Sequence, residues 1–155
     1  METTRHFTTT VYVVNDGATA LHRHPKLGIR IPPGGHVERD ELLHECGLRE
    51  TREEIGTEPT LIDDTEPVGA PAGRTLPAPR HTMLYDIDVR DDGEAYHQHV
   101  DHVFFARVPS REIDPEPGEE PAAVWDWYTP EELTESSIDT DTATIGREAI
   151  AAARD

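Results

Sequence analysis

The stretch that most restricts the fold of this chain runs from Gly35 to Gly56, GHVERDELLHECGLRETREEIG. From Asp40 the pattern is helical: Asp40 or Arg39 stands at the cap, Leu43, Cys46 and Glu50 share a face, and Gly56 occupies the place of a terminating glycine. On that helix Glu50, Glu53 and Glu54 gather in its C-terminal half. Like charges at i,i+4 destabilise a helix by a few tenths of a kcal/mol per pair. The C-terminal end also carries partial negative charge of its own, so acids there are doubly unfavourable. Arg49 can neutralise one carboxylate as a bidentate partner, which leaves an excess. A divalent cation with oxygen ligands, Mg2+ or Mn2+, would absorb it. On the acids alone, a solvated helix face is the better account of the run.

The rest of the chain reads as strands around this helix. A β-branched and aromatic run at residues 11–14, punctuation at Asn15-Asp16-Gly17 and the segment ATALHRH predict a hairpin. LGIRIPPGG reads as a short extended piece stopped by Pro32-Pro33 and opened by Gly34-Gly35. Further strands are expected near residues 60–62, in HTMLYDIDV, in HVDHVFFARV and in AAVWDWYT. TPEEL has a helix-start signature, with Thr129 as cap, Pro130 first in the helix and Glu132 three residues after the cap. DTATIGREAIAAARD predicts a terminal helix with Ile145, Ala149 and Ala153 on one stripe. The expectation is a single domain over residues 1–155, α/β or α+β, with a mixed sheet and about three helices.

Charge narrows the partners. The chain has 155 residues with 32 acids against 14 bases, a formal charge of −18. That argues against a nucleic-acid backbone as partner. Lys26 is the single lysine, and an acid excess almost without lysine resembles proteins adapted to a salt-saturated cytoplasm. Cys46 is the single cysteine, which rules out an intrachain disulfide and a Cys-rich zinc site. No secretory leader pattern and no 18-residue apolar run is present, so a cytoplasmic protein without a membrane partner is expected.

The spacing within the acidic stretch is the decisive feature. Gly35, five residues, Glu41, seven residues, Arg49-Glu50, two residues, Glu53-Glu54, one residue and Gly56 resemble the Nudix box, G-x5-E-x7-R-E-U-x-E-E-x-G-U with U apolar. Every fixed position matches, while the two U positions hold Thr51 and Thr57. PPGGHVE before the box and VWDWYTPEEL downstream also look like this family, so the resemblance spans about residues 7 to 135. It implies a Nudix-like α/β/α sandwich and a pyrophosphohydrolase acting on a nucleoside diphosphate linked to another moiety, of nucleoside triphosphate or ADP-ribose type. By the same resemblance, Glu53 and Glu54 would ligate Mg2+ or Mn2+, joined by Glu50. A carboxylate of this group would serve as base for the attacking water. Arg49 would orient a glutamate, the Gly35 carbonyl would complete the metal site, and Glu41 would fix the loop against the helix.

Several residues outside the box are candidates of a weaker kind. A further acidic ligand from a later loop would be Glu119 or Glu120, with Glu94 as the alternative, and Glu120 is assigned to the metal site. Arg30 and His36 are assigned to substrate phosphates, although an arginine on a strand is more often a surface residue. In YHQHVDH, His97, His99 and Asp101 alternate, so they share a strand face and offer a polar edge, a substrate contact or a transition-metal site. Trp125 and Trp127 also alternate, for core packing or base stacking. The expected partner is a small-molecule nucleotide, and a homodimer stays open. Two rivals are a non-catalytic Nudix-fold binding module and an isomerase with a related box; the first conflicts with the intact glutamates, the second with the lone Cys46.

Overall fold

The computed structural model describes residues 2–135 and 137–154. Its centre is a parallel pair of long strands. β1 (Thr4–Asn15) runs beside β7 (Ala95–Arg107) from Thr4 opposite His97 to Val14 opposite Arg107. β1 is rich in Thr and Val and the second half of β7 in Val and Phe, residues that suit a pleated surface buried on both faces. β2 (Ala18–Arg23) returns from β1 through Asp16-Gly17, as the hairpin signal predicts. β3 (Arg30–Ile31) and β8 (Trp125–Tyr128) pair with β2, β5 (Thr60–Leu61) and β6 (His81–Val89) pair with β7, and β4 (Gly34–His36) pairs with β1.

Helices cover the two faces. Alternation along β1 sends Val11 and Val13 to one side, where they meet Ile55 of α1 (Leu43–Ile55), Ala20, Phe104, Ala106 and Trp125. Tyr12 and Val14 go to the other side, against Leu21, Val103, Phe105 and Ile145 and Ile150 of α2 (Thr140–Ala153). Leu21, Ile55 and Ile150 are almost fully buried, each contributing about 1.5–3 kcal/mol by removal from water. This is the expected α/β/α sandwich with a mixed sheet.

Three details differ from expectation. The described residues form two α-helices, because TPEEL makes only a single 3-10 turn, Glu132–Thr134. Its capping exchange is present, with the Thr129 N–H donating to Glu132 Oε1 at 3.0 Å and the Glu132 N–H to Thr129 Oγ1 at 3.3 Å. Leu133 then plugs the core and Glu135 is extended, so no second turn forms. α1 starts at Leu43 with Leu42 as cap, not at Asp40 or Arg39. Leucine has no acceptor to offer; the Glu45 carboxylate instead takes the Leu42 N–H at 2.8 Å. Gly34-Gly35 is a strand paired to Thr10 and Thr9 rather than an open loop.

Candidate active site

Sequence order along α1 builds the acidic cluster, and two connections close it. At the helix end Gly56 takes the left-handed conformation, φ 74°, and donates its N–H to the Arg52 carbonyl at 2.9 Å. The segment after β7 then folds back: the Asp114 N–H caps the Ile55 carbonyl at 2.9 Å and the Glu116 N–H caps the Glu53 carbonyl at 2.8 Å. Helix carbonyls that would otherwise lack partners are thereby satisfied, and Glu119 is carried to the glutamates. On the other side β4 lies against the helix. The Gly34 N–H donates to Glu54 Oε2 at 2.8 Å. A Cβ on Gly35 would run into the Glu50 carboxylate, and one on Gly34 into the Thr9 carbonyl. Glycine is needed here for close approach to the protein's own groups.

Arg49 is the hub. Its Nε and Nη2 grip Glu41 in a bidentate pair at 2.6 and 3.0 Å. Nη1 reaches Glu50 Oε1 at 3.1 Å and Glu53 Oε2 at 3.2 Å. Nη2 also donates to the His36 carbonyl at 3.3 Å. Such a fork is held by several bonds at once. Glu41 also accepts the Glu38 N–H at 3.1 Å, so it ties the preceding loop to the helix.

The charges are only partly balanced. The hydrogen bond from Arg49 holds Glu41 below the usual carboxylate range. Burial pushes Glu54 up to about 8 despite the Gly34 N–H, with repulsion from Glu50, Glu119 and Glu53 adding to the rise. Burial likewise raises Glu50, against the pull of Arg49 and with repulsion from Glu53 and Glu119. Glu119 is raised by burial and by Glu53. These shifts mark carboxylates crowded in a partly desolvated place without enough cation.

The outer sequence candidates fare differently. Glu119 adds to the rise of Glu50 and Glu54 and is itself repelled by Glu53, whereas Glu120 acts on Glu119 and on neither of those two. Glu94 lies at the turn between β6 and β7, where its N–H bonds Asp92. Arg30 donates to the Tyr128 hydroxyl at 3.0 Å and lies over that ring, among residues packed on the α2 side. His36 pairs opposite Thr8, and its ring meets His6 and His99 on the sheet face away from α1. Neither Arg30 nor His36 is brought to the acids, because strand alternation directs them to the other face. Trp125 is core, its ring tilted against His22 with centroids 4.5 Å apart, and Trp127 donates its indole N–H to the Arg111 carbonyl at 3.1 Å. Asp101 is buried and accepts from the Thr8 and Thr10 hydroxyls at 2.8 and 2.7 Å, which removes it from the alternating trio.

Two side chains on the buried face of α1 show why threonine and cysteine are accommodated there. Thr51 is fully buried; its hydroxyl donates to the Gly47 carbonyl at 2.8 Å, leaving the methyl to pack. Cys46 is also buried; it accepts from the Thr9 hydroxyl at 3.1 Å, and burial pushes its thiol up to about 11. A thiol held protonated in this way is a poor nucleophile.

The family model described as the NUDIX domain matches residues 4–151. A Nudix-family hydrolase from Clostridium perfringens is 32% identical, with 96% of this chain and 97% of that one covered and a TM-score of 0.80. A MutT protein from Bacillus halodurans is 20% identical over 94% and 82% of the two chains, TM-score 0.63. An E. coli dihydroneopterin triphosphate pyrophosphohydrolase is 17% identical over 97% and 95%, TM-score 0.62. At those identities the last two speak to the fold alone. No curated protein matches the chain. With a domain match reaching almost from end to end and a relative aligned along its whole length at 32% identity, this protein belongs to the Nudix family of pyrophosphohydrolases.

Proposed function

We propose that the chain hydrolyses a phosphoanhydride bond of a nucleoside diphosphate derivative, with Glu50, Glu53, Glu54 and Glu119 as oxygen donors to Mg2+ or Mn2+. The observation that carries this is the convergence of four carboxylates from α1 and the 109–121 segment. Among the described residues, Arg49 is the one cation hydrogen-bonded to any of them. An all-oxygen donor set of this charge suits a hard divalent cation. When bound, that ion would neutralise phosphate oxygens and lower the pKa of a water.

The chain's own groups have separate tasks. Arg49 positions Glu50 and Glu53 and, through Glu41, locks the loop to the helix. Glu53, more exposed than Glu50, would take the proton of the attacking water as its oxygen bonds phosphorus and the bridging oxygen leaves. The Gly35 Cα lies against the Glu50 carboxylate, and its carbonyl would complete the oxygen set. Substrates of nucleoside triphosphate and ADP-ribose type both supply the diphosphate this arrangement addresses. A buried, protonated Cys46 speaks against the isomerase, and the complete acid set against a binding module.

The test is release of phosphate products from a series of nucleoside diphosphate derivatives with Mg2+ in high KCl, alongside calorimetric titration with Mn2+. Glu53→Gln should lower turnover about a thousandfold or more. Glu119→Gln should weaken Mn2+ binding, and Glu120→Gln should leave it unchanged. A Glu53→Gln enzyme keeping more than about a tenth of its rate, a loss below about 1.4 kcal/mol of barrier, would remove Glu53 from the chemistry.

A further inference from the structure

Four of the nine histidines collect on the sheet face opposite the acidic helix. They come from three adjacent strands. His6 on β1 stands directly opposite His99 on β7, and His36 on β4 stands opposite Thr8, two residues further along β1. A two-residue period puts His6 and Thr8 on one face, and the Thr8–Asp101 hydrogen bond identifies it as the face shared by His99. Hence three imidazoles far apart in sequence are presented side by side by paired backbone. Sites on strands are positioned more rigidly than sites on loops.

We propose that His6, His36 and His99 form a second metal site, for a divalent transition-metal ion of the Zn2+ type, separate from the carboxylate site and on the other side of the sheet. One ring nitrogen from each lies within 4.8 Å of the others. Ring centroids are 5.3 Å apart for His6–His36, 4.8 Å for His36–His99 and 6.1 Å for His6–His99. Nitrogens bound to tetrahedral zinc at about 2.0–2.1 Å stand about 3.3 Å from one another. The remaining closure, on the order of 1 Å, is within reach of side-chain rotation, since His6 and His36 are exposed and His99 only half-buried.

The hydrogen bonding separates these three from other histidines. Among the described residues, no hydrogen bond is made by the rings of His6, His36 or His99. His97 Nδ1, in contrast, bonds the Thr4 hydroxyl at 2.7 Å, and His102 Nδ1 the Thr8 carbonyl at 3.1 Å. Among the described residues none of the three pairs with a carboxylate, as His81 does with Glu148. Both oxygens of Asp101 accept from the two threonine hydroxyls. His97 packs edge-on to His6 at 4.5 Å and to His99 at 5.2 Å, walling the site without belonging to the trio. Imidazole donors select Zn2+, Co2+, Ni2+ or Cu2+ over Mg2+, and the solvent side leaves a fourth position for water.

Co2+ titration of the full chain in excess Mg2+ tests this, because tetrahedral Co2+ gives visible absorption bands. The expected result is a single bound Co2+, displaced by Zn2+, and unaffected by Glu53→Gln/Glu54→Gln. His6→Gln and His36→Gln, both at exposed side chains, should each weaken it by more than about a hundredfold, beyond the roughly 10–100-fold typical of losing an outer-sphere partner. His97→Gln should keep it within a few-fold. Thermal melts in chelator confirm that the variants fold. Co2+ binding that survives His6→Gln/His36→Gln, or that disappears with the carboxylate variants, overturns the assignment.

Discussion

Gly35 shows how one residue serves two purposes. Its hydrogen side chain lets β4 pair with Thr9 while the Glu50 carboxylate rests on its Cα. In Gly35→Ala the added methyl meets the mobile end of Glu50, which can swing away, so stability should change by less than about 1 kcal/mol. The displaced carboxylate loses its place beside Arg49, and a misplacement of about 1 Å costs roughly a hundredfold in rate. Steady-state kinetics alongside a denaturation curve would separate the two, and unchanged turnover would mean that the position of Glu50 is not critical. His22 illustrates the opposite case, a titratable group serving packing. It is buried against Trp125, and burial, with some repulsion from His24, lowers its pKa to about 4. Above the unfolded value of about 6.5 both states are neutral and His22 adds no pH dependence. Between there and about 4 the unfolded chain takes up a proton that the folded one refuses, so stability falls by up to about 3 kcal/mol. His22→Phe should flatten that part of the stability curve between pH 6.5 and 4. An equally steep acid slope in the variant would place its origin elsewhere.

Among the elements, the join between α1 and the segment after β7 matters most. Gly56 is left-handed, and a Cβ there would collide with the Asp114 carbonyl. The left-handed conformation alone costs a residue with a side chain about 1–2 kcal/mol. Gly56→Ala should therefore destabilise by at least that much in urea unfolding, and should weaken Mn2+ binding by moving the segment that carries Glu119. Destabilisation with full Mn2+ affinity would detach Glu119 from the metal site. Much of this helix is legible in the sequence: its presence, its end at Gly56 and the clustering of its acids are local properties of spacing. The start at Leu43 is not, because Glu45 binds the cap backbone without the Ser, Thr, Asp or Asn that usually signals it. The choice of Glu119 over Glu120 depends on backbone hydrogen bonds between residues about 60 apart, from Glu116 to Glu53. The placement of Arg30 and His36 away from the acids has one cause: β3 and β4 are too short for alternation to show which face they serve. His6 is invisible as a partner of His99 until the parallel register of β1 and β7 brings them together.

For the whole molecule the dominant feature is charge. The chain carries 32 acids against 14 bases, and Lys26 is the only lysine. Several of the arginines are already committed to local pairs, Arg49 with the box glutamates, Arg52 with Glu58 and Arg80 with Asp64. The remainder is a surface on which Asp63, Asp64, Asp91, Asp92, Glu131 and Glu132 are exposed. Self-repulsion of such a surface opposes the compact state and extends over the screening length, about 8 Å at physiological salt and about 3 Å at 1 M. An ordinary protein gains little beyond the first of these, since its charges alternate in sign. Here neighbours are mostly of one sign and adjoin directly in such pairs as Asp63-Asp64 and Asp91-Asp92, so screening should continue to stabilise as the length contracts. The melting temperature should accordingly keep rising from about 0.2 to about 2 M KCl. Comparison with NaCl at equal ionic strength separates screening from specific ion effects. A melting temperature that is flat or falling over that interval would show that the acid excess is not an adaptation to high salt, and that local pairs such as Arg49 with Glu41 already supply the balance the fold needs.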